Sequence, residues 1–249
     1  VLALDAVASH YFTSGDYKTA LPYREECLKV ITQQRDESDN AVLLIKTFLA
    51  DTYSRLDRHK DAIDLYLECA GIYAKEIPPR EDYFYALNGL VVEYCLLDDI
   101  PSAIQYRSQA ANLVHRLHGV GEQYARQKWL QGELFATNNQ HEAAIKCFDE
   151  SKTILEQQGE TDSETYVQLL KDLLVSLSRY SSELVEAQEF AQARPMKERV
   201  IDLSDQIDGI GNYLRAIYRY DLGDIDFRTG NYLEALKSYH SAEEYNIYF

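Results

Sequence analysis

An all-α fold of stacked helix pairs, an α-solenoid, is what this 249-residue sequence predicts. Three observations carry that expectation. Breakers are scarce, with 11 Gly and 5 Pro, which favours helices over many short strands. One phrase is written nearly twice, GDYKTALPYREECLKV at 15–30 and GNYLEALKSYHSAEEY at 230–245. Between the two, an alanine recurs at Ala20, Ala62, Ala103, Ala144, Ala193 and Ala235, at intervals of 42, 41, 41, 49 and 42 residues. Self-similarity at such a period marks a repeat architecture.

The neighbours of these anchors repeat with them. Nine residues earlier stand Tyr11, Tyr53, Tyr94, Phe135, Leu184 and Asp226, large and apolar in five of the six. Twelve earlier the residues are small or modest: Ala8, Ala50, Val91, Gly132, Ser181 and Gly223. Seven later come Cys27, Cys69, Ala110, Ser151, Val200 and Ala242, and four later an aromatic in three repeats, Tyr66, Phe148 and Tyr239. Small residues let two helix axes approach, and a large one fills the space between neighbouring pairs. Each unit therefore reads as two antiparallel helices with a short turn just before the anchor. One pair cannot bury its apolar stripe unaided, so pairs stack.

The units run over about 1–38, 39–80, 81–121, 122–160, 161–210 and 211–249, forming a single domain of twelve or thirteen helices. Polar or Gly/Pro-bearing breaks divide them, such as RDESDN at 35–40 and IPPREDY at 77–83. Thr161 with Glu164 suits a capping box for the first helix of the fifth unit. The seven extra residues of the 49-residue interval lengthen helices around 145–187. Pro22 and Pro195, each two residues after an anchor, are expected in a first helical turn, where proline loses no hydrogen bond.

The skeleton small-x-x-Tyr, Gly-Asp-Tyr, Ala-x-x-x-Tyr-x-x-Ala resembles the tetratricopeptide repeat, six copies of which cover the chain. The long period and the prolines after the anchors resemble the variety found in kinesin light chains. The resemblance implies a right-handed α-solenoid and a function in protein–protein interaction, with first-helix positions lining a concave groove. Carried onto this sequence, that register predicts a partner-binding surface of Asp51, Asn88, Arg126, Trp129, Glu133, Tyr220 and Asp224. It adds Asp5, Thr47, Val92, Ser178 and Ser182. Trp129 and Tyr220 would be apolar anchors within an acidic lining; the competing reading makes Trp129 core between the third and fourth units. Repeats that clamp a chaperone's terminal carboxylate use Lys and Asn where this chain has Asp5, Ser9, Thr47 and Asp51, so that function is not expected.

The charge balance is 41 acidic against 25 basic residues, a net −16, which disfavours nucleic acid and favours a basic or neutral partner with an apolar anchor. No apolar run reaches membrane-spanning length, and no secretory leader opens the chain. Cys27, Cys69, Cys95 and Cys147 form no CxxC pair and fit a reducing, cytoplasmic setting; two of them share one repeat position and read as packing. His115 and His118 lie at a helix end before Gly119, where imidazoles meet the helix dipole, and no further ligand stands near for a metal. No catalytic constellation or cofactor motif is present, so the expected function is a non-catalytic scaffold holding a peptide or partner protein. The alternative is a ligand- or peptide-sensing regulatory domain of a larger protein. The chain opens on Val rather than Met and is expected to be a segment of a longer one. Tyr245, Tyr248 and Phe249 are expected to offer an apolar end face for further helices or self-association.

Overall fold

The structure, a computed structural model, describes residues 1–207 and 209–246. Among them it holds twelve α-helices and no strand. They form two compact units. The first, Val1–Gly119, contains α1 (Leu2–Thr13), α2 (Tyr17–Thr32), α3 (Asn40–Arg55), α4 (His59–Tyr73), α5 (Asp82–Leu96) and α6 (Ile100–His118). The second, Val120–Phe249, contains α7 (Glu122–Thr137), α8 (His141–Gln158), α9 (Glu164–Glu186), α10 (Phe190–Gln206), α11 (Asn212–Arg228) and α12 (Tyr232–Asn246). Within each unit every helix packs on the one before it, so the pairs stack as the repeat requires.

The anchors explain the pairing. Ala20, Ala62, Ala103, Ala144 and Ala193 are fully buried and Ala235 nearly so. Five residues before each anchor the chain turns through the left-handed region: Gly15, Asp57, Asp98, Asn139, Gln188 and Gly230 all have φ between 55° and 83°. The next residue's N–H then reaches back to the carbonyl of the residue nine before the anchor, as in Asp16 N to Tyr11 O at 2.9 Å and Asn231 N to Asp226 O at 2.8 Å. That bond closes the first helix of the pair with an orphan carbonyl satisfied. Asp16 and Asp99 then cap the second helix, accepting from Thr19 N at 3.1 Å and Ser102 N at 3.2 Å.

Four residues after the anchors the side chains alternate: Arg24, Tyr66, Arg107, Phe148, Lys197 and Tyr239. The three cations are buried despite their charge. Arg24 bonds to Asp5 and Ser9 and lies 4.7 Å over the Phe48 ring, and Lys197 pairs with Asp221 at 2.9 Å. The three aromatics instead lie over glycines. An added Cβ at Gly89, Gly132 or Gly223 would come within 2.4–2.5 Å of Tyr66, Phe148 or Tyr239.

Two local expectations need correction, the cap of α9 and the place of the prolines. Ser163, not Thr161, caps α9, accepting from Tyr166 N at 3.1 Å, because α9 starts directly after it at Glu164. Pro22 and Pro195 lie inside α2 and α10, past the first turn. The carbonyls four residues back, of Lys18 and Ala191, lose a helical donor and belong to exposed residues that water can serve. The first-turn proline is Pro101 of α6. α9, at 23 residues, is the longest helix described, in the interval that carries the extra residues.

A groove between first helices of the first unit

A groove of about 1080 Å³ opens in the first unit between α3 and α5. Leu44, Thr47, Phe48 and Asp51 line it from α3, and Tyr85, Asn88, Val92, Glu93 and Leu96 from α5. Tyr66 and Tyr73 of α4, with Phe12 and Tyr17, also line it. One-face spacing on each helix produces this lining, since residues three and four apart are surface neighbours. Several apolar groups remain open to solvent here: Tyr85 is 62% exposed, Leu96 59% and Val92 44%.

Two carboxylates lie in the groove. The Tyr66 hydroxyl donates to Asp51 Oδ1. Burial holds Asp51 above the usual carboxylate range, while that bond and the Arg24 charge pull the other way. Tyr66 itself is pushed far up by burial and the Asp51 charge. Glu93 is 1% exposed, with Oε2 at 2.8 Å from His59 Nδ1. Asn88 accepts from Arg107 Nη1 at 3.3 Å.

The remaining expected site residues lie in the second unit. Trp129 is half-buried against the core around Leu169 and Leu173, and its indole N–H donates to Asp172 Oδ2 at 2.8 Å. Arg126 and Glu133 are exposed on α7. Tyr220 is 55% exposed, packs 5.0 Å from Tyr239, and borders a cavity of about 330 Å³. Asp224 accepts from the Tyr239 hydroxyl at 2.7 Å, a bond that raises Tyr239 to about 12. Asp51 and Asn88 thus share one groove, whereas Trp129 and Tyr220 have different surroundings. Tyr245 lies under Arg219, 4.3 Å from the guanidinium carbon to its ring centroid; Tyr248 and Phe249 lie outside the described residues.

The first-helix register pointed to Asp51, Asn88, Thr47 and Val92. It missed Glu93 and His59, which meet across α4 and α5, and Phe48 and Tyr85. The signal for Phe48 and Tyr85 was the apolar run on the same helix faces, which period reasoning assigns equally well to core. Cys27 and Cys69 are fully buried, and burial pushes the Cys69 thiol up to about 11, the behaviour of an inert packing residue. Among the described residues no group of three or more His, Cys, Asp or Glu is placed to hold a metal, and no helix is long and apolar enough to cross a membrane.

Residues 1–75 match the family model of the tetratricopeptide repeat. No curated protein matches the chain. Solved structures share the fold at low identity. A Podosopora anserina protein of kinesin-light-chain type, with nearly identical TPR-like repeats, is 15% identical with a TM-score of 0.63, over 79% of this chain and 94% of its own. The apo form of RapI is 9% identical with a TM-score of 0.61, over 98% of this chain and 97% of its own. Aspartyl phosphate phosphatase F from Bacillus subtilis is 13% identical with a TM-score of 0.54, over 98% of this chain and 69% of its own. Residues 1–75, the first two helix pairs, thus carry the tetratricopeptide-repeat signature, and the solved structures share the pairwise helical fold with the rest of the chain.

Proposed function

We propose that the protein is a non-catalytic scaffold whose first unit holds a segment of a partner protein in the groove between α3 and α5. The groove itself is the observation that carries this reading. It has the volume of a ligand site, about 1080 Å³, and leaves Tyr85, Val92 and Leu96 uncovered along one wall. Apolar side chains spaced along a groove suit an extended or helical peptide, whose own anchors they would desolvate. The polar groups beside them are engaged in holding the helices: Asp51 with Tyr66 and Asn88 with Arg107. That use fits a binding surface better than acid–base chemistry. Trp129 and Tyr220 remain proposed anchors for a second contact on the other unit, with Arg126, Glu133 and Asp224 beside them.

The test is selection of random heptapeptides on the purified protein. Selected clones are expected to lose binding when Leu44→Trp or Val92→Trp fills the groove, with the circular dichroism melt unchanged. Failure to select any clone, or clones indifferent to both substitutions, would remove the groove from the function.

A further inference from the structure

We propose that the groove of the first unit recognises a single cationic side chain, Arg or Lys, of its peptide, seated on Asp51 and Glu93 beside Tyr85. This rests on the scaffold reading and narrows it to a class of ligand.

Glu93 is buried to 1% exposure at the groove wall, and only one of its oxygens is engaged, Oε2 with His59. Oε1 takes no hydrogen bond among the described residues. Asp51 is half-buried: Oδ1 accepts from Tyr66, and Oδ2 takes no hydrogen bond among the described residues. A carboxylate drawn from water with half its acceptor capacity open is costly until a donor arrives. An ammonium or guanidinium supplies that donor with its charge, and such bonds are the strong ones.

The lining favours the same class. It carries four acids, Asp51, Asp57, Asp82 and Glu93, against Arg55 and His59. A ligand carboxylate would meet the repelling sign, and a wholly apolar ligand would leave both open oxygens without partners. Tyr85 adds a ring face, to which a cation is attracted by the ring quadrupole. The protein already builds this combination once from its own residues, where Arg24 bonds to Asp5 while lying over the Phe48 ring. Tyr85, 62% exposed on the opposite wall, has no such cation on it among the described residues.

The experiment uses the heptapeptides selected above, labelled with fluorescein and titrated by anisotropy against the whole chain. Clones that compete for the groove are expected to share one Arg or Lys beside an aliphatic or aromatic residue. Replacing that Arg by citrulline, or Lys by norleucine, should weaken binding at least tenfold. The isosteric pair Asp51→Asn and Glu93→Gln should weaken it to the same extent and abolish the advantage of the charged peptide over the neutral one. Thermal melts of both variants show that the fold is retained. Clones blocked by Val92→Trp but acidic or uncharged, or charged clones indifferent to both isosteric substitutions, would overturn the cation assignment and leave the groove standing. Absence of any groove-dependent clone would overturn both.

Discussion

Asp226 stands where five of the six repeats place a large apolar residue, and it is fully buried. Its Oδ1 accepts from Arg194 Nε at 2.7 Å, while Oδ2 is buried with no partner. Removing the arginine would strand a buried charge. Arg194→Ala is therefore expected to cost about 2–4 kcal/mol, somewhat below a fully enclosed pair because Arg194 is a third exposed. The double change Arg194→Ala with Asp226→Phe, which restores the usual residue type, should recover most of the loss; urea denaturation of the set measures both. A single-variant cost below ~1 kcal/mol would refute the pairing. Asp51 behaves in the opposite sense. Its pKa in the folded chain is raised, chiefly by burial, so the folded state holds its proton more tightly than the unfolded state does. Its contribution is full below the unfolded value, near pH 4, and is lost as pH rises through the folded one. Asp51→Asn, which keeps an acceptor for Tyr66, should leave the melting temperature at pH 7 unchanged or higher and flatten its fall from about pH 4 upward. A lower melting temperature at pH 7 would show that the ionised carboxylate is stabilising. Neither pairing was legible in the sequence. The register fixed which helix each aspartate sits on, but Arg194 and Tyr66 reach them from other helices.

At the scale of the helix pair, the spacing of anchors, small residues and large residues was open to reading because each repetition restates one packing constraint. The turns were only half legible. Gly15 and Gly230 announce a left-handed residue, whereas Asp57, Asp98, Asn139 and Gln188 adopt the same conformation without a glycine to signal it. The aromatic-on-glycine contacts allow a sharper test. Gly132→Ala would put a Cβ 2.5 Å from Phe148, which is 1% exposed and enclosed by the second unit's core. The alanine's helix preference, worth up to ~1 kcal/mol, should be outweighed, for a net loss of about 1–3 kcal/mol. At Gly223 the same Cβ meets Tyr239, which borders a cavity and can give way. Gly223→Ala should fall within about 1 kcal/mol of the parent. Equal losses at the two positions would mean that room around the ring does not decide the outcome.

For the whole molecule, each unit has a core of its own: Leu43, Tyr66 and Leu90 in the first, Phe148, Leu173 and Leu177 in the second. Trp129, the one tryptophan of the sequence, belongs to the second. Tryptophan fluorescence therefore reports that unit, while far-ultraviolet circular dichroism reports the helices of both. The two midpoints in a urea titration are expected to differ, as in repeat proteins whose cooperativity is short-ranged. Superimposable curves would show one cooperative body. The alternation of cation and aromatic after the anchors bears on a different matter, the history and editing of the gene. Excision of 63–103 would bring Arg107 into the repeat after that of Arg24, setting two buried cations side by side where each now has an aromatic neighbour. Excision of 63–144 would instead follow Arg24 with Phe148 and keep the order. The module that can be copied or cut from the interior without conflict is thus a doublet of helix pairs, and length variants of this chain should differ by whole doublets rather than by single repeats.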